Sequence, residues 1–100
     1  MRSTGLALLL VLGVACGGSG ADRVTGIIIA VDGDLEAVAS FEVQTTGGDR
    51  LVFEPTPGLA FDEGGPLSHV ISHMQAGVPV RVTYEAMDDG TLIAVQITDA

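Results

Sequence analysis

A chain of 100 residues with thirteen acidic side chains against four arginines, and no lysine, carries a net charge of −9 with its histidines neutral. That balance excludes the basic stripe a nucleic-acid binder displays and disfavours docking on anionic phospholipid. Its single cysteine excludes an internal disulfide.

The first element is a leader. Arg2 supplies a short basic start, and Leu6 to Ala15 an apolar stretch of ten residues. A bilayer-spanning helix needs about 20 such residues, so the stretch is read as a processed signal peptide, residues 1–15, and not as a transmembrane span. The cleavage region, Leu12-Gly13-Val14-Ala15-Cys16, resembles the lipobox of bacterial lipoproteins. The motif prefers leucine three places before the cysteine; here that place holds Gly13, with Leu12 one further out. The resemblance implies a diacylglycerol on the Cys16 thiol, cleavage just before it and an acylated new N-terminus. The protein would then be anchored by lipid in the cell membrane or the outer membrane, facing away from the cytoplasm. The alternative is an ordinary signal peptide cut after Ala15, which leaves a free thiol. Residues 16–22 form the lipidation site and a flexible tether, of which Gly17 to Ala21 has a glycine–serine composition.

Residues 23–100 are expected to form one small domain. Residues 16–100 hold all thirteen acids against Arg23, Arg50 and Arg81, a net charge of −10. Val24 to Val31 is β-branched and apolar on both alternation phases, as a strand buried on both faces would be. Gly26 inside it predicts a bend there, at unusual backbone angles. After the turn residues Asp32-Gly33-Asp34, Leu35, Ala37, Ala39, Phe41 and Val43 alternate with polar residues and predict a half-buried strand. Gly47-Gly48-Asp49 closes a hairpin onto Arg50–Glu54, with Leu51 and Phe53 on its inner phase. Pro55 to Gly65 is a loop that Leu59 and Phe61 pin to the core.

Pro66 suits a first helical position, and Leu67, Val70, Ile71 and Met74 make one apolar stripe ending at Gly77. This predicts a helix of about three turns, with Val70 and Ile71 inward and Ser68, Ser72 and Gln75 in water. Val78, Val80, Val82, Tyr84 and Ala86 predict the fourth strand, and Ile93, Val95 and Ile97 the fifth, across the turn Asp88-Asp89-Gly90. The order β-β-β-α-β-β, with a glycine kink in the first strand, resembles the OB-fold. The expected fold is mostly β: a five-stranded OB-like barrel with one helix between strands three and four.

Candidate chemistry is thin. His69 and His73 lie one helical turn apart, a spacing that can hold a metal ion, with Met74 nearby as a soft ligand. Zinc wants further ligands, and the H-E-x-x-H pattern is absent because Val70 and Ile71 follow His69. Asp32 to Glu36 is too short for a calcium-binding loop. No glycine-framed serine marks a nucleophile, so the chain reads as a non-enzyme with no cofactor.

An OB-fold binds its ligands on strands two and three. Here Phe41 and Phe53 fall on the core phase while Glu36, Glu42 and Glu54 point outward, which argues against nucleic acid. The expected function is a membrane-anchored, extracytoplasmic binding or interaction module, monomeric, with a protein or small-molecule partner. Two alternatives stand beside it: a copper- or zinc-handling lipoprotein using His69 and His73, and a structural component of the envelope.

Overall fold

The computed structural model describes residues 22–100; Cys16, the leader before it and most of the tether lie outside them. The elements are β1 (Asp22–Gly33), β2 (Val38–Thr45), β3 (Arg50–Pro55), α1 (His69–Ala76), β4 (Val80–Ala86) and β5 (Leu92–Asp99). The strands close into a barrel in the order β1-β2-β3-β5-β4, with the helix between β3 and β4. Every neighbouring pair is antiparallel except β3 and β5. That parallel seam is short: Phe53, Glu54 and Pro55 face Leu92, Ile93 and Ala94. Pro55 has no N–H, so it ends the strand, and the Thr56 N–H takes over, donating to the Ala94 carbonyl at 2.9 Å.

β1 serves two neighbours in succession. Asp22 to Gly26 pair with β4, and Gly26 to Gly33 pair with β2. Gly26 is the shared rung, opposite both Thr45 and Val80. The expected unusual backbone angles are corrected here, since Gly26 is not among the glycines with positive φ. What the position demands is proximity: a β-carbon would collide with the Gln44 carbonyl oxygen and lie 2.7 Å from Val43 Cγ1.

The core draws on every strand: Ile28, Phe41, Val43, Phe53, Val80, Val82, Ala94 and Ile97 are buried, and Phe61 and Val70 join them. No polar or charged residue is buried among the described residues. Leu51, Leu59, Leu67, Ile71, Met74 and Tyr84 pack around this core, partly exposed.

Where the alternation misleads, a bulge is the reason. Thr83 pairs with Gln96 and Tyr84 with Ala94, which leaves Val95 as an extra residue in β5. The inner phase therefore passes from Ile97 to Ala94, and Val95 and Ile93 are only half-buried. Ala39 is skipped likewise between the rungs Asp32–Ser40 and Gly33–Val38. It points outward, while Val38 packs on the core. Leu35 and Ala37, expected in the same strand, lie in the preceding loop and are exposed. Val78 and Ala86 are exposed at the two ends of the expected fourth strand, Val78 just outside β4.

The helix is also shorter than its stripe. Pro66 forms an isolated bridge with Ala60, and its carbonyl accepts from His69 N–H, so the chain passes through a tight turn before α1 begins at His69. Val70 is fully buried and Ile71 half-buried; Ser72 and Gln75 face water, and Ser68 is half-buried. Gly77 ends the helix in the left-handed region, φ 69°. Gly77 N–H donates to the Met74 carbonyl and Val78 N–H to that of His73, so two terminal carbonyls are satisfied by the turn itself.

Candidate functional site

Two features stand out from the barrel, and they share one loop. The β3–α1 segment runs along the second half of β5: Phe61 bridges to Ile97, and Asp62 N–H donates to the Ile97 carbonyl at 3.0 Å. Side chains fasten the same edge. Gln96 Nε2 donates to Asp62 Oδ2 at 2.6 Å. Glu63 accepts from the Thr98 hydroxyl, and from the Asp99 N–H at 3.2 Å.

His73 completes this fastening from the helix. Its Nδ1 lies 2.9 Å from the His69 carbonyl oxygen and its Nε2 2.6 Å from Asp99 Oδ1. Both partners only accept, so both ring nitrogens must donate, and the ring that satisfies them is the imidazolium. Phe61 stacks on that ring at 4.8 Å with an interplanar angle of 19°, which places a π face against a cation. The last turn of a helix also favours positive charge. Partial burial disfavours the charged ring. It is outweighed by the hydrogen bonds to the His69 carbonyl and Asp99 and by the charges of Asp99 and Glu63, so the pKa of His73 is raised. The hydroxyl of Thr98 in turn holds the carboxyl of Glu63 below its ordinary range, outweighing the desolvation that opposes it.

His73 thus contributes a stability that is complete below the ordinary histidine value of 6.5 and is lost as pH rises through its higher folded value. Glu63 behaves oppositely: its contribution is present above 4.5 and is lost as pH falls through its lowered folded value. Melting temperature measured across pH should therefore hold level between these two ordinary values and decline as pH rises beyond 6.5. His73→Gln should remove this decline and Asp99→Asn should reduce it, since the His69 carbonyl and Glu63 remain; a decline unchanged in both would assign it to other groups.

Of the sequence-derived site residues, Cys16 lies outside the described residues. His69 and His73 are brought together on α1, but in different states. His69 is exposed, with its ring 6.1 Å from that of Phe61, whereas both nitrogens of His73 are committed to protein acceptors. Met74 packs on the core and not beside them. Among the described residues, no three His, Cys, Asp or Glu side chains converge as a metal site would require. Sequence reasoning missed Asp99, Glu63 and Phe61, which lie far from His73 in the chain apart from the loop before the helix. Nothing in the local pattern marks them.

The second feature is a groove of about 520 Å³ where the β1–β2 loop faces the β3–α1 segment. Leu35, Glu36, Ala37 and Val38 form one wall, Pro55 to Ala60 the other, and Pro66, Leu67 and Ser68 also line it. Leu35 is 77% exposed at its lip. Asp34 shapes that lip, its Oδ1 accepting from the N–H groups of Glu36 at 2.9 Å and Ala37 at 3.1 Å. Those two bonds hold the Asp34 carboxyl below its usual range. The outer face of β2 and β3 is different in character. Phe41 and Phe53 are buried inside, as expected, and Val52 and Glu54 are exposed.

Comparison with models of known protein families finds no match to this chain, and comparison with curated proteins finds none either.

Proposed function

We propose that this chain is an OB-like barrel held on the outer side of a membrane by lipid on Cys16, where it acts as a binding module through the groove beside Leu35. The OB-like reading is supported by the strand order, the single helix between β3 and β4, and a first strand that turns at Gly26 from one neighbour to the other. The observation that carries the binding reading is the groove itself. Its size lies within the range of about 300–1,000 Å³ typical of ligand pockets, and an exposed leucine stands at its lip.

Its position fits display. The tether enters at Asp22, and the groove begins beyond Gly33 at the other end of the 12-residue β1. At about 3.3 Å per residue, these ends are separated by up to roughly 35 Å of strand. A lipid at Cys16 would therefore attach at the end of β1 remote from the groove, and the negative surface would help keep the domain off anionic headgroups. Several acyl chains would hold the chain far more firmly than one.

Two measurements test this. The mature protein should partition into detergent and carry the mass of a diacylglycerol, and Cys16→Ser should stop processing or release the protein. An unmodified mass with a free thiol would sink the anchor. A photo-crosslinking residue at Leu35, in cells, should give discrete adducts that the same residue at Glu85 does not. Adducts at neither position, or equally at both, would sink the groove as the binding site.

A further inference from the structure

We infer that the occupant of the groove is a short extended segment of a partner protein, apolar at its centre and flanked by lysine or arginine; this rests on the groove being the binding site. The centre follows from the walls. Leu35, Val38, Leu59 and Leu67 present aliphatic surface, and Leu35 leaves most of its side chain in water unless something covers it.

The flanks follow from charge and from hydrogen-bonding capacity. Glu36 lies in one wall, Asp34 two residues before it, and Glu54 directly before Pro55. No arginine is near them. Arg23 stands opposite Thr83 and Arg81 opposite Thr25, on the rungs between β1 and β4, and Arg50 stands opposite Gln44 beside the β2–β3 turn. All three arginines thus belong to the tether half of the barrel, and the carboxylates around the groove have no neutralising cation in its walls. Glu36 is the one charged residue in the walls, with Asp34 and Glu54 at their edges, and a concave site whose charge is of one sign concentrates its field on an incoming ligand.

Some of the backbone donors along the groove are absent or already spent. Pro55, Pro57 and Pro66 have no N–H to offer. The N–H groups of Thr56 and Leu59 are spent on the carbonyls of Ala94 and Thr56, and those of Glu36 and Ala37 on Asp34. A phosphate, a nucleic acid or an acidic peptide would meet the Glu36 carboxylate there with no cation to offset it. Ammonium, guanidinium and peptide N–H groups would meet acceptors.

The test uses the full chain in nanodiscs of neutral lipid, with empty discs as the blank. Three dye-labelled peptides share an alternating leucine–valine core and differ in their flanks, which are paired lysines, paired serines or paired glutamates. At about 20 mM salt the lysine-flanked peptide should bind at least about tenfold more tightly than the glutamate-flanked one, and the difference should shrink at about 500 mM. Leu35→Ser and Glu36→Gln, both at exposed positions, should each weaken it roughly three- to tenfold. Asp89→Asn, in the β4–β5 turn at the tether end, should leave it unchanged.

Equal affinity for the lysine and glutamate flanks would overturn the charge assignment and leave the groove standing. Equal weakening by Glu36→Gln and Asp89→Asn would reduce the effect to attraction by net charge and overturn the inference. Binding by none of the three peptides would overturn it also, while the crosslink at Leu35 judges the groove separately.

Discussion

Gly26→Val should unfold the barrel under conditions in which Gly47→Ala leaves it intact. Valine has the better strand propensity, but at this rung a β-carbon runs into the Gln44 carbonyl oxygen and sits 2.7 Å from Val43 Cγ1. Neither neighbour is the loose end of a side chain. One is ladder backbone and the other belongs to a fully buried valine. Relief would require β1 to leave β2 at the one rung where it also holds β4. Overpacking costs typically 1–3 kcal/mol and occasionally more, and this site combines it with lost pairing, so about 3 kcal/mol or more is expected. Gly47 has no atom closer than 3.8 Å to an added β-carbon and should change stability by less than about 0.5 kcal/mol. Urea denaturation followed by circular dichroism gives both values. A Gly26→Ala variant as stable as the parent would show that the two strands separate more easily than this packing implies.

Phe53→Ala should be nearly as damaging, for a different reason. Its ring is fully buried, with centroids 5.6 Å from Phe41 and 5.1 Å from Tyr84, and it opens the short parallel seam opposite Leu92. Truncating a buried phenylalanine costs about 3–5 kcal/mol. A domain of this size commonly has only about 5–15 kcal/mol in all, so little would remain. Val52, the adjacent residue on the outer face, is 53% exposed and should tolerate alanine within about 0.5 kcal/mol. The chain has one tyrosine and no tryptophan, so its fluorescence reports on Tyr84, against which Phe53 packs. An unchanged tyrosine signal and midpoint in Phe53→Ala would mean that the seam closes without this ring.

The amino-acid order by itself determined the five strands, the single helix between the third and fourth, and the inner phase wherever a strand is regular. Phe41 with Val43, Leu51 with Phe53, and Val80 with Val82 follow from period-two alternation alone, because successive side chains of a strand must leave on opposite faces. The helix stop at Gly77 was equally legible, since few residues accept the left-handed backbone that ends a helix.

What only the tertiary structure decided begins at the bulges. Val95 and Ala39 read as inner residues until the partner strand shows that each has no opposite number, and one extra residue reverses every side chain beyond it. Gly26 was legible as a special position, but the reason was not, because the obstructing Gln44 carbonyl belongs to another strand. The same holds for the chemistry. His69 and His73 share a helix face by periodicity, yet the charge on His73 depends on Asp99, Glu63 and Phe61, which closure of the barrel alone brings to it. The groove likewise joins the β1–β2 loop to the β3–α1 segment, some twenty residues apart in the chain. Local pattern reports which way a side chain leaves its own backbone. It carries no information about which distant backbone will be waiting there.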